Sequence, residues 1–293
     1  MNFRADCLST EWCEADLAEL EALANGLSWE APGTDHTDPN EDVAIDFLRQ
    51  FHPTTMWVLV TVGPERNQVG PARTFHPEEE ASAREFIEAH NGHRNIYFGV
   101  NAVNTNLNKK PSKRDIAEVH WLHLDADLPK ALDWSEATTV TKEKARVLEK
   151  LRKYSPAPTA IIWSGGGFQA FWRLSAIVVV HGEQGLMAPI ESRMRWIENA
   201  LGADACHNVD RIMRLPGTIN VLGPTKIRAG RQPALSSVVE FHEERIYDLE
   251  EFPEYEASHS AHQARAKRQG WGRDSGQKAN DHELARDALR IVP

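Results

Sequence analysis

The chain is 293 residues long, enough for one large domain or two modest ones with real cores. Its apolar share of 41% and charged share of 26% are those of a soluble globular protein, and no apolar run approaches the ~20 residues that span a bilayer. The acidic N-terminus lacks the basic-then-apolar order of a secretion signal, so a cytoplasmic protein with no membrane partner is expected, and a formal net charge of −10 excludes a surface coated in positive charge for non-specific DNA binding.

Residues 10–27 read as a helix with apolar positions at Leu17, Leu20, Leu23 and Leu27, broken by the run APGTDHTDPNED. Ala44, Phe47 and Leu48 suit a short amphipathic helix that begins near Asn40. Met56 to Val62 is a β-branched apolar run bounded by Pro53 and Gly63-Pro64, hence a buried strand. Glu78 to His90 is a helix, and Asn95 to Val100 and Val119 to Leu124 are strands. Thr141 to Tyr154 is a charged amphipathic helix with Ala145, Leu148 and Leu151 as its buried stripe. Thr159 to Trp163 and Phe168 to Leu174 are strands on either side of a triple glycine. Gln184 to Leu201 is a helix, and Val238 to Phe241 a last strand. Strands interleaved with helices over residues 40–255 predict an α/β or α+β domain.

An acidic extension, residues 1–39, precedes that domain. A polar, Gly/Ser-rich linker follows at 256–280, and residues 281–293 open a helix too short to bury its apolar face, as in a fragment whose next domain is missing. Cys7 and Cys13 could form half of a zinc site with Cys206 and His207, but no second close pair completes the pattern, and reduced thiols are the simpler reading. Basic residues gather at 109–114, along 142–153 and from Arg211 to Arg231, so a local basic groove is compatible with nucleic acid.

Three short constellations carry chemistry. In LHLDAD, His123, Asp125 and Asp127 share one face of a strand while Leu122, Leu124 and Ala126 point into a core. Two carboxylates about 7 Å apart at a strand end repel unless a hard divalent cation such as Mg²⁺ lies between them. Two solvated acids at a strand boundary are the plainer alternative. In SGGGFQAFW, Ser164 and the glycines Gly165, Gly166 and Gly167 could bring backbone amides onto a phosphate, with Gln169 emerging beside the turn; a simple hairpin is the alternative. In VDRIMRLPGTIN, Asp210 is followed by Arg211 and Arg214, which suits a metal ligand with fixed charge for triphosphate oxygens, or equally a salt-bridged turn.

Taken in order, these parts resemble the archaeo-eukaryotic primase superfamily, in particular the RepB-like primase-polymerases of phages, plasmids and prophages. LHLDAD matches the family's paired acids, and SGGGFQAFW its serine motif, except that Gln169 stands where a histidine is usual. VDRIMRLPGTIN matches its acid followed by basic residues. NIYFGVNAVN and KKPSKRDIAEVH also look like the family's lead-in. The resemblance implies an α+β fold: an RRM-like antiparallel sheet with flanking helices and a smaller N-terminal α/β unit, the site lying in the cleft between them. It implies that Asp125, Asp127 and Asp210 hold Mg²⁺ or Mn²⁺, and that Ser164, the glycines, Gln169, Arg211 and Arg214 bind the nucleotide. It also implies a single-stranded DNA template, nucleoside triphosphates as substrates, and a helicase region downstream of the fragment. A two-metal nuclease and a non-catalytic replication initiator or DNA-binding module are the competing readings, the first explaining the paired acids but not the glycine turn or the arginines.

Overall fold

The computed structural model describes residues 38–65 and 68–255. The chain divides into two units after Glu254. The helix expected over 10–27, Cys7 and Cys13, and the expected linker and final helix beyond residue 255 lie outside the described residues.

Helix α1 (Glu41–Phe51) starts where the Asn40 side chain accepts a hydrogen bond from Val43 N at 3.1 Å. It buries Ala44, Ile45, Phe47, Leu48 and Phe51 along one face. Strand β1 (Trp57–Val62) is buried as its composition predicts, and β2 (Val69–Phe75) pairs with it. The sequence hides β2, because Gly70 and Pro71 interrupt its pattern. It is an edge strand, where proline does not break a ladder. After α2 (Glu80–His90) comes β3 (Asn95–Gly99), then β4 (Ala102–Val103) and the long β5 (Ile116–Asp127).

Helix α3 (Ala137–Lys153) leads to β6 (Ala160–Trp163) and β7 (Gly167–Val179). Helix α4 (Gln184–Leu201) has the bounds its periodicity predicts and ends on Gly202 at φ +57°, a left-handed cap that glycine adopts freely. Then come β8 (Ile212–Arg214), β9 (Ile219–Asn220), the single turn α5 (Pro224–Arg228), β10 (Ala234–Leu235), β11 (Ser237–Phe241) and β12 (Ile246–Tyr247). Three-residue strands such as β8 are too short for periodicity to reveal.

The result is a mixed α+β fold. A four-stranded antiparallel sheet has the order β2-β1-β3-β8, and a larger antiparallel sheet the order β11-β6-β7-β5-β4, with β12 parallel to β7. One face of the larger sheet, with Leu122, Leu124, Phe168, Ala170 and Trp172, packs on Leu148 and Leu151 of α3 and Met187, Ile190, Met194 and Ile197 of α4. The opposite face carries Trp121, Ile162 and Phe171 and meets Phe47 and Phe51 of α1 and Phe98 of β3. The Phe51 and Trp121 rings stack at 4.0 Å there. Alternation along β5 therefore has a tertiary consequence. Its Trp121 face enters the second core, and two and three steps further along that face the apolar packing ends at Asp125 and Asp127.

The Pro216-Gly217 turn fastens β8 to α1. Gly217 sits at φ +78°, donates to Ser236 O at 2.8 Å and accepts from Asn40 N at 3.0 Å and Asn91 Nδ2 at 3.1 Å. A Cβ there would stand 2.2 Å from Asn40 O. Gly217→Ala is expected to lose about 2 kcal/mol or more, read as a lower urea midpoint at unchanged slope.

Candidate active site

The site forms where β5 ends. Asp125 is paired across the ladder with Gln169 of β7, and Asp127 with Gly167. A Cβ on Gly167 would lie 2.5 Å from Ala126 O and 2.6 Å from Asp127 Cα, so only glycine lets the two strands approach here. The triple glycine is a tight hairpin between β6 and β7. Ser164 N and Ser164 Oγ both donate to Gly167 O, at 2.9 and 3.0 Å, and Gly165 supplies φ +84°. The Ser164 hydroxyl is thus already engaged within the turn. Asn220 Nδ2 donates to Ser164 O at 3.1 Å and Arg231 Nη2 to Gly165 O at 3.0 Å, which pins the hairpin from outside.

Four cations gather around the two acids. Arg211, in the turn before β8, brings Nη2 to 3.4 Å from Asp125 Oδ2, a loose contact. Arg214 is 6% exposed and donates only to neutral oxygens: Asn95 Oδ1 at 2.5 Å, Tyr97 Oη at 3.0 Å and Asn220 Oδ1 at 3.1 Å. Its guanidinium also lies 4.5 Å over the Tyr97 ring. Arg231 stacks on Trp134 at 4.3 Å, and the charges of Arg231 and Lys226 both act on Asp127. Buried positive charge without a contacting carboxylate is costly, and burial lowers the pKa of Arg214 and of Arg231.

The acids are perturbed in the opposite direction. Burial, and then the charge of Asp127, push Asp125 up to about 6, with Arg211 opposing. Asp127 opens more to solvent, yet partial burial and the charge of Asp204 raise it as well. His123, on the same face, is held neutral by burial, its pKa down to about 4, and its Nε2 donates to Cys206 O at 2.9 Å. Among the described residues, the buried side-chain polar atoms that lack any hydrogen-bond partner are His123 Nδ1, Gln169 Oε1, Arg211 Nε, Arg214 Nε and Arg231 Nε. All five belong to this one site. Buried polar atoms are otherwise almost always satisfied, so their concentration here marks a place prepared for a polar ligand.

One expected ligand is not gathered with the others. Among the described residues, no three His, Cys, Asp or Glu side chains converge as a metal-ligand group, so Asp210 does not join Asp125 and Asp127 in a preformed triad. The turn over 208–211 aims Arg211 at Asp125, and the third carboxylate whose charge reaches both acids is Asp204. Asp204 follows the end of α4 and pairs loosely with Lys130 at 3.6 Å. With Asp127, it lines a cavity of about 290 Å³ between α3 and the end of α4. Sequence reading also passed over Lys226, Arg231 and Trp134. The only signal for them was the basic run toward Arg231, because no local pattern reports a long-range approach. Cys206 is buried and His207 bonds to Glu198, and no membrane-length apolar helix occurs among the described residues.

No family model and no curated protein matches the chain. Solved structures do resemble it. The primase-polymerase AEP domain of cyanophage S-2L aligns over 72% of this chain and 95% of its own, at 17% identity and a TM-score of 0.48. Primase RepB′ aligns over 78% of this chain and 66% of its own, at 10% identity and a TM-score of 0.48. The catalytic domain of RepB′ in complex with initiator DNA aligns over 80% of this chain and all of its own, at 11% identity and a TM-score of 0.47.

The raised Asp125 has a stability consequence. Its unfolded pKa is near 3.8 and its folded value about 6, so the folded state favours the protonated form. That contribution is complete below about pH 4 and is lost as pH rises through about 6, a change on the order of 2–3 kcal/mol. The buried His52 and His123, each with its pKa down to about 4, act in the opposite sense over the same range. The Asp125 contribution is therefore read as the difference between parent and Asp125→Asn in urea unfolding with a chelator, and that difference should grow from pH 4 to pH 7. Asp125→Asn, isosteric and uncharged, is expected to be more stable than the parent at pH 8 and not at pH 4.

Proposed function

We propose that this chain is a primase-polymerase, a nucleotidyltransferase that makes or extends strands on single-stranded DNA from nucleoside triphosphates during replication of a phage, plasmid or prophage. We place the catalytic domain at residues 40–255. The observation that carries the reading is the pairing of two carboxylates, both raised by burial and neighbouring negative charge, with an excess of cations, three of which keep a buried guanidinium Nε without a partner. In a chain of net charge −10, such a local excess calls for a polyanion, and a triphosphate has the required charge and oxygen density. The order of the sequence motifs supports the same conclusion. Hydrolysis of a phosphodiester, the nuclease alternative, gives no use for that many cations.

Asp125 and Asp127 fit a divalent cation, because each carboxyl is held above its ordinary pKa by burial and an adjacent negative charge, a penalty that a bound cation reverses. Mg²⁺ or Mn²⁺ held there would neutralise developing charge on the reacting oxygens, with oxygen ligands beyond the two carboxylates coming from substrate phosphates and water. The protein's own part is positioning. Arg211 and Arg214 grip phosphate from the β8 side, and Arg231 and Lys226 from the side of the glycine hairpin. Ser164, Gly165, Gly166 and Gly167 form the floor of the triphosphate pocket, and Asp210 flanks Arg211 as a further candidate acid. Gln169, beside Asp125, offers an amide that hydrogen bonds to the nucleotide but cannot carry a proton. The 3′-oxygen–phosphorus bond forms at the α-phosphate as the bond to the β-phosphate breaks; the hydroxyl proton passes to solvent and pyrophosphate leaves.

Primer synthesis on single-stranded template, with ribo- or deoxyribonucleotides and Mg²⁺ or Mn²⁺, tests the reading. An Asp125→Ala/Asp127→Ala variant is expected to be inactive yet folded. Arg231→Ala should raise the nucleotide KM by about tenfold or more, the usual consequence of losing one charged hydrogen bond. Full activity in the double variant would remove the proposal.

A further inference from the structure

The segment between α4 and β8, residues 202–211, has no regular secondary structure, yet it carries Asp204 and Arg211 to the site. Its own backbone bonds are few. Ala203 N donates to Glu198 O at 2.9 Å, Arg211 N to Asn208 O at 3.0 Å, and Arg211 O accepts from Val100 N at 3.1 Å. Side chains supply the rest. Two of them are carboxylates on one helix face. Glu191 and Glu198 lie seven residues apart on α4, on the face that also buries Met194, and each is 6% exposed.

Glu191 accepts from Val209 N at 3.2 Å and pairs with Lys113 Nζ at 2.7 Å. Glu198 accepts a short hydrogen bond from Cys206 N, and its other oxygen takes His207 Nδ1 at 3.0 Å. Two neutral groups complete the arrangement. His123 Nε2 donates to Cys206 O, and Asn101 Nδ2 donates to Val209 O at 3.2 Å. Residues 206 and 209 are thus each held at N–H by a glutamate and at C=O by a side chain from the large sheet or its approach.

A buried carboxylate is expensive unless paired, and an apolar residue at either position would pack α4 at less cost. What an apolar residue cannot do is accept an amide proton from an irregular strand. We propose that Glu191 and Glu198 are positioning residues, a two-point clamp by which α4 sets where Arg211 and Asp204 stand relative to Asp125 and Asp127. The pair touches neither substrate nor the reacting atoms, and acts through the segment it holds. The proposal rests on the functional reading above only for its effect on nucleotide binding. The clamp itself is a statement about the fold.

Two measurements on the intact chain test it together. The first is amide hydrogen exchange. Glu198→Ala should speed exchange at residues 204–207, and Glu191→Ala at 208–211, by about tenfold or more, with the β5 and β7 amides unchanged. The second is a double-mutant cycle on Mg²⁺-dependent triphosphate binding. Glu198→Ala should weaken binding about tenfold in the parent but distinctly less in an Arg211→Ala background, because one of the two residues it positions is already gone. Glu198→Gln, which keeps an oxygen for Cys206 N, should recover most of the parent's affinity and protection. Exchange that rises across the whole domain, or losses that simply add, would overturn the clamp. If the parent binds no triphosphate, the functional reading fails while the exchange pattern still decides this one.

Discussion

Two carboxylates on one face of a strand end repel each other, and much of this structure is organised around holding them there. The antiparallel ladder between β5 and β7 sets Asp125 beside Gln169 and Asp127 beside Gly167. The ladder can close at its end because Gly167 has no Cβ to meet Ala126 O. Burial then turns that geometry into electrostatics. Asp125 retains its proton well above the ordinary carboxylate range, and each surrounding guanidinium is desolvated without a full complement of partners. Like charges and a surplus of guanidinium groups are thereby held together in one partly desolvated place.

The support for this site comes from both sheets. The large sheet supplies the acids and the hairpin, and the small sheet supplies Arg214 through the pairing of β8 with β3. Helix α1 fills the space between them with Phe47 and Phe51, and Gly217 fastens the start of α1 to the turn after β8. Arg214 is held from three directions by Asn95, Tyr97 and Asn220, so its position is set by β3 and β9 as much as by its own strand. A side chain restrained in this way loses little further entropy when it meets a ligand.

Several elements were legible before the fold was known. Helices α1 and α4, strand β1 and the pair β6–β7 follow from apolar period, capping and glycine placement, which are local properties. The face shared by His123, Asp125 and Asp127 follows from strand alternation alone. Strand β2 was hidden by Gly70 and Pro71, and β8 and β9 by their shortness, since pairing rather than pattern makes them strands. The glycine run was open to two readings. It folds as a hairpin with the Ser164 hydroxyl turned inward.

By itself, then, the sequence determined the longer helices and strands, their order, and the placing of two acids at the end of a buried strand beside a glycine turn. Tertiary structure decided which charges meet those acids: Arg211 rather than Asp210 at Asp125, Asp204 acting on both, and Arg231 and Lys226 beside Asp127. The reason is one of range. Alternation and capping act over a few residues, whereas the approach of segments far apart in the chain depends on how α4 and the two sheets pack, which no local pattern encodes.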